Sequence, residues 1–176
     1  NETTNTDESG VYEDWIEIYN TSMKPVNMAG FYLTDDMNNL SKWSLKTTVD
    51  SSLTTVEPGG FLLIWADGDT SEGILHAGFS LDEEGDTLAL VFADGITVID
   101  SIIFGSQQAD VSFGRAGDGA DRWRTFIEPS PGASNENPPV LLPPNGLYVH
   151  PEPLGARISW DYWRPDTKLS FNNGPP

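Results

Sequence analysis

Between residues 12 and 20 the side chains alternate with the two-residue period of a β-strand. Ile16 and Ile18 fall on one face, and Trp15 and Tyr19 fall on the other with Glu17 between them. Apolar residues on both faces place this strand centrally in a sheet that is covered, at least in part, on each side. Residues 21–25 read as a turn, because Pro25 fixes its own φ and disfavours the α region at Lys24; the turn is expected to join two strands as a hairpin. Residues 30–34 form the next strand, ended by the polar run 35–39. In the short alternating stretch that follows, Trp43 and Leu45 should both face the core.

The polar segment 46–55 reads as a loop. Pro58-Gly59-Gly60 then makes a tight turn into residues 61–66, a nearly continuous apolar run with the character of a strand covered on both faces. Residues 75–79 are a short strand candidate, and the acidic turn 81–86 leads into another at 87–92. Asp94-Gly95 is a two-residue hairpin signal, so residues 87–92 and 96–104 are expected to pair. Residues 111–115 and 122–126 are strands flanking a Gly- and Asp-rich loop. No stretch has the length and 3.6-residue period of an amphipathic helix, and the class is all-β.

Several of these blocks carry a family resemblance. Asp14-Trp15-Ile16-Glu17-Ile18-Tyr19-Asn20, followed by Gly30-Phe31-Tyr32-Leu33-Thr34-Asp35, resembles the opening of a lamin tail domain of the bacterial secreted kind. The likeness continues through Pro58-Gly59-Gly60-Phe61, Gly85-Asp86-Thr87-Leu88 and Ser112-Phe113-Gly114-Arg115, and closes on Pro129-Ser130-Pro131-Gly132-Ala133-Ser134-Asn135. It implies an immunoglobulin-like β-sandwich of two mostly antiparallel sheets over residues 1–135, and no single activity. Members of that family usually carry one more strand, of the form INEIMASN, just ahead of the point where this chain starts. The chain is therefore expected to be a piece whose sandwich lacks its first strand, with an edge left open or filled by another segment.

From Pro129 onward proline recurs, which forces extended, polyproline-like backbone and marks 136–176 as an extended Pro-rich tail. Within it residues 155–162 alternate again, giving one short strand with Ile158 and Trp160 on one face. The tail is expected to dock on the sandwich or on a neighbour, with Trp160, Tyr162 and Trp163 as its aromatic anchors.

Charge narrows the partners. Asp and Glu total 27 against 9 Lys and Arg, a formal net charge of −18, which repels phosphate backbones and disfavours nucleic acid. The same acidity suits a calcium-bearing extracellular medium as well as plain solubility. No apolar run approaches the roughly 18 residues of a membrane span. Without cysteine there is no disulfide framework, thiolate nucleophile or Cys-based zinc site.

Three chemistries remain. Calcium is the first, since Asp67, Asp69, Asp82, Glu84 and Asp86 lie in turns where hard oxygen ligands converge, although no EF-hand spacing is present. Glycan binding is the second, on stacking platforms offered by Trp43, Trp65, Trp123 and the tail aromatics, against the plainer role of core packing. Hydrolysis is the weakest. His76 and His150 are the only histidines, and neither lies in a nucleophile elbow or a His-Glu-x-x-His pattern. No catalytic residue and no cofactor other than calcium is expected. Asp7 and Glu8 read as solvated charges, and Glu17 as one half of an ion pair with Arg115 or Arg124.

These readings converge on a non-catalytic interaction or scaffold module of a larger secreted or cell-surface bacterial protein. It would serve adhesion, assembly or domain positioning through protein partners. The alternative is a carbohydrate-binding accessory module of a polysaccharide-degrading system.

Overall fold

The computed structural model describes residues 2–135 and, beyond them, the backbone of three strands at 148–152, 155–161 and 168–172. The chain divides into two compact units, Asn1–Glu136 and Asn137–Pro176. The first carries β1 (Trp15–Tyr19), β2 (Val26–Asn27), β3 (Tyr32–Thr34), β4 (Trp43–Ser44), β5 (Thr55–Val56), β6 (Phe61–Trp65), β7 (Gly85–Val91), β8 (Val98–Gly105), β9 (Ser112–Arg115) and β10 (Trp123–Phe126). Among the described residues the only helical element is a 3-10 turn at Ser51–Thr54, within the stretch expected to be loop; the Asp50 carboxylate caps it by accepting the Ser52 N–H.

The first unit is an all-β, immunoglobulin-like sandwich. One layer is the four-stranded antiparallel sheet β4-β3-β7-β8; the other is built on the antiparallel pair β1-β6. Ile16 of β1 and Leu62 and Ile64 of β6 face Leu33 of β3 and Trp43 of β4, and with Leu45, Val56, Ala77 and Phe79 they form the dry core. Trp43 and Leu45 are buried together, as their alternation requires. Residues 75–77 extend the second layer, running parallel to β6 through Leu75 O, Ala77 N and both backbone groups of Trp65.

Two local expectations are corrected. Residues 21–25 do not close a hairpin: β1 pairs with β6 while β2 pairs with β5. The Asn20 side chain steers the chain out of the first ladder, its Nδ2 donating to the carbonyls of Lys24 and Val56 and its Oδ1 accepting from Ser22 N–H. The β7–β8 hairpin forms, but its loop is four residues long, closed by Phe92 and Thr97. A two-residue type I′ turn needs positive φ at both central residues, and of Asp94 and Gly95 only the glycine has it. The Asp94 carboxylate instead accepts the N–H groups of Ile96 and Thr97 and sets the wider loop.

The second unit is a three-stranded antiparallel sheet, β11 (Tyr148–Glu152), β12 (Gly155–Asp161) and β13 (Lys168–Asn172), in that order. The single short strand expected there is its middle strand. Prolines suggested polyproline backbone throughout, but Pro151 sits on the edge strand β11, where a missing N–H costs no ladder bond.

Candidate functional site

Among the described residues strand β1 has one neighbour, β6. In its ladder with β6, Asp14 accepts from Ala66 N–H and Asn20 donates to the Gly60 carbonyl. Antiparallel pairs alternate between hydrogen-bonded and non-hydrogen-bonded, so Ile16 and Ile18 also bond to β6. Trp15, Glu17 and Tyr19 turn their N–H and C=O groups to the opposite edge. Among the described residues no strand pairs with that edge.

Beside it lies a cleft with a volume of about 770 Å3, reaching between the layers. Ile16 and Ile18 of β1, Leu88 and Leu90 of β7, Phe113 of β9 and Phe126 of β10 are among the residues that line it. Leu90 pairs with Leu33 in the sheet and shares its core-facing side, yet Leu33 is 1% exposed while Leu88 and Leu90 stay half-buried. Both pack against the core at its edge and border the cleft.

The rim is polar and tied down. Asp110, at the entry to β9, accepts the N–H groups of Glu2 and Thr3, each at 2.9 Å, and so fixes the start of the chain at the cleft. Across it, Arg115 pairs with Asp100 of β8 at 2.6 Å, donates to the Ala120 carbonyl and lies over the Trp123 ring.

Glu17 corrects an expectation. Neither arginine reaches it: Arg115 is held by Asp100, and Arg124 lies over Phe126. Its carboxylate accepts instead from the Gly132 N–H. Burial pushes its carboxyl above the ordinary range, the Gly132 hydrogen bond works against that, and the charge of Asp118 adds to it.

Of the five carboxylates read as calcium ligands, four accept backbone N–H groups one or two residues further on. Asp67 accepts from Asp69 N–H, Asp69 from Ser71, Asp82 from Glu84, and Asp86 from Thr87. Among the described residues, the one group of three carboxylate or imidazole side chains with ligating atoms within 4.8 Å of one another is a different one: Asp7, Glu72 and His76. Of the aromatic platforms, Trp43 and Trp65 are core, and Trp123 is stacked on Phe113 beneath Arg115. The side chains of Trp160, Tyr162 and Trp163 lie outside the described residues.

Fold and site together define an immunoglobulin-like domain in which, among the described residues, the second layer is open along one strand. The family model of the lamin tail domain matches residues 1–106, and the chain belongs to that family. No curated protein and no solved structure matches it. Among the described residues no helix is long and apolar enough to cross a membrane.

Proposed function

We propose that this domain is an interaction and scaffold module of a secreted or cell-surface bacterial assembly. It holds protein partners by strand addition along β1, and serves adhesion, assembly or the positioning of neighbouring domains. The observation that supports this reading is a backbone edge that no described strand pairs with, lying beside a cleft with apolar walls at Ile16, Ile18, Leu88 and Leu90. An incoming extended segment gains ladder hydrogen bonds from Trp15, Glu17 and Tyr19, and its alternate side chains enter the space beside Leu88 and Leu90. Main-chain bonds supply affinity, and the cleft selects which side chains fit. The net charge of −18 suits a calcium-bearing extracellular medium.

Amide hydrogen exchange on the full chain, followed residue by residue at increasing protein concentration with light scattering alongside, tests this. The Glu17 and Tyr19 amides should exchange far faster than those of Ile16 and Ile18 in dilute monomer, and gain protection as chains associate. Protection of Glu17 and Tyr19 equal to that of Ile16 and Ile18 in a dilute monomer would mean that the edge is filled within one chain, and would sink the proposal.

A further inference from the structure

The second layer carries another feature, at the end of β6. His76 lies in the segment parallel to β6 and is 1% exposed. Its Nδ1 contacts the carboxylate of Asp67, which is itself buried, and lies 3.5 Å from Glu72; its Nε2 lies 3.5 Å from Glu8. The small hairpin at residues 6–12 brings Asp7 against the same imidazole.

Asp7 is the decisive residue. The sequence suggests a solvated charge, yet it is 7% exposed. Its Oδ1 accepts the N–H groups of Ser9 and Val11, whereas its Oδ2 is buried without a hydrogen-bond partner. A buried carboxylate oxygen with nothing to accept from is costly. Among the described residues no Lys or Arg ion-pairs with Asp7, Glu8, Asp67 or Glu72. The local field is strongly negative. Within this cluster Asp7 Oδ2 is the buried oxygen left without a hydrogen-bond partner, and Asp7, Glu72 and His76 each offer a ligating atom within 4.8 Å of the others.

From this geometry we infer that Asp7, Glu72 and His76 form a binding site for a divalent transition-metal cation of the zinc class. Asp67 takes the positioning role. By accepting from Nδ1–H it fixes the ring and its tautomer and leaves the Nε2 lone pair for the ion, the arrangement in which a carboxylate orients a metal-bound histidine; Glu72, whose carboxylate lies 3.5 Å from Nδ1, turns its partly exposed side chain towards Nε2 to reach the ion. Glu8, with its side chain 68% exposed and already 3.5 Å from Nε2, can swing in as a fourth ligand. One imidazole nitrogen with carboxylate oxygens in a tetrahedral set suits zinc. Calcium, which takes 6–8 oxygen ligands, is poorly served by a buried imidazole. The ion would staple residues 7–8 to the loop after β6, two segments joined to opposite strands of the β1–β6 ladder. The site is separate from the β1 edge, and its test is independent of strand addition.

The test titrates zinc chloride into the full chain, stripped beforehand with chelator, and reads stoichiometry by calorimetry, thermal midpoint by scanning, and the imidazole 15N shifts by NMR. One equivalent should bind, raise the midpoint and move the His76 ring nitrogens. Asp7→Asn keeps an acceptor for Ser9 and Val11 and should fold at least as stably without metal, and Glu72→Gln changes a partly exposed side chain. Each should weaken zinc by at least about 10-fold. Asp94→Asn, a charge-matched change in the β7–β8 loop, should leave binding intact. Failure to bind one equivalent, binding that survives both Asp7→Asn and Glu72→Gln, or stabilisation by calcium chloride and not by zinc chloride overturns the assignment.

Discussion

The Glu17 carboxylate accepts the backbone N–H of Gly132, 115 residues further along the chain. This one contact ties the open-edged strand β1 to the turn that closes the sandwich domain. It is a hydrogen bond to backbone, not an ion pair, and burial, with no cation among the described residues to offset it, raises the carboxyl's pKa.

The consequence is a pH dependence of definite sign. Burial raises the folded-state pKa of Glu17 above the ordinary 4.5. Its contribution to stability is therefore fully present below that value and is lost as pH rises through the folded pKa. Glu17→Gln retains an acceptor for Gly132 and has no proton to lose. The thermal midpoint of Glu17→Gln minus that of the wild type should be near zero at pH 3–4 and should grow as pH rises past the ordinary glutamate range, reaching a plateau near neutrality. A difference that shrinks over that interval would contradict the assignment.

Asn20 gives a second prediction. It is 8% exposed and makes three side-chain hydrogen bonds, to the carbonyls of Lys24 and Val56 and from the N–H of Ser22. Asn20→Ala orphans the buried Val56 carbonyl and loosens the exit from β1, and should cost about 2–3 kcal/mol. Asn20→Asp keeps the acceptor for Ser22 but turns a negative oxygen towards two carbonyls, and should cost at least as much at neutral pH. Urea denaturation of the three proteins, compared by midpoint at constant slope, checks both statements.

What the sequence made legible follows physical range. The faces of β1, the burial of Trp43 and Leu45 and the existence of the β7–β8 hairpin are local, set by alternation and by turn chemistry a few residues wide. The partner of β1 is not local. Nothing in residues 12–27 says that Trp15 lies opposite Trp65 rather than opposite a neighbour in a hairpin. The same limit hid the Asp7, Glu72 and His76 group, whose members come from a hairpin at the start of the chain and a loop after β6. An acid in a polar run looks solvated, and only the fold shows that one oxygen of Asp7 has been taken out of water. A lone histidine close after Asp67-Gly68-Asp69 was the available signal, and it is too weak to name ligands without the third dimension.

Gly85 opens β7 with φ +120, and a Cβ there would stand 2.6 Å from the Phe104 carbonyl oxygen and 2.9 Å from the Gly105 Cα. Both are backbone atoms of the paired strand β8, so no side chain can rotate away. Gly85→Ala should destabilise by at least about 2 kcal/mol, combining strained backbone with an overlap that only strand separation relieves. Gly10, also at positive φ but with nothing within 4 Å of the added atom, is the internal comparison. Gly10→Ala should cost only about 1 kcal/mol, the backbone penalty alone. Equal losses at the two sites in denaturant titrations would remove the close approach as the cause.

Asp110 supplies the last prediction. Its carboxylate accepts from the N–H groups of Glu2 and Thr3 and from the hydroxyls of Thr3 and Thr4, and its own φ is +59, a conformation that aspartate tolerates better than most residues. The Thr3 hydroxyl first, and then the backbone N–H groups, hold its carboxyl well below the ordinary 3.8. A depressed folded pKa places the stabilisation above the ordinary value, and it is lost as pH falls through the folded one. The Thr3 amide resonance should therefore stay fixed from neutrality down to about pH 4 and move only in stronger acid, after ordinary aspartates have titrated. Asp110→Ala should release Glu2 and Thr3 at every pH, giving rapid amide exchange at Thr3 while the β3–β7 ladder keeps its protection. Because the freed segment lines the cleft beside β1, the same variant asks whether the start of the chain guards the open edge. If it does, Asp110→Ala raises the exchange rates of Glu17 and Tyr19 above their wild-type values; if those rates do not change, the anchor at Asp110 serves the rim alone.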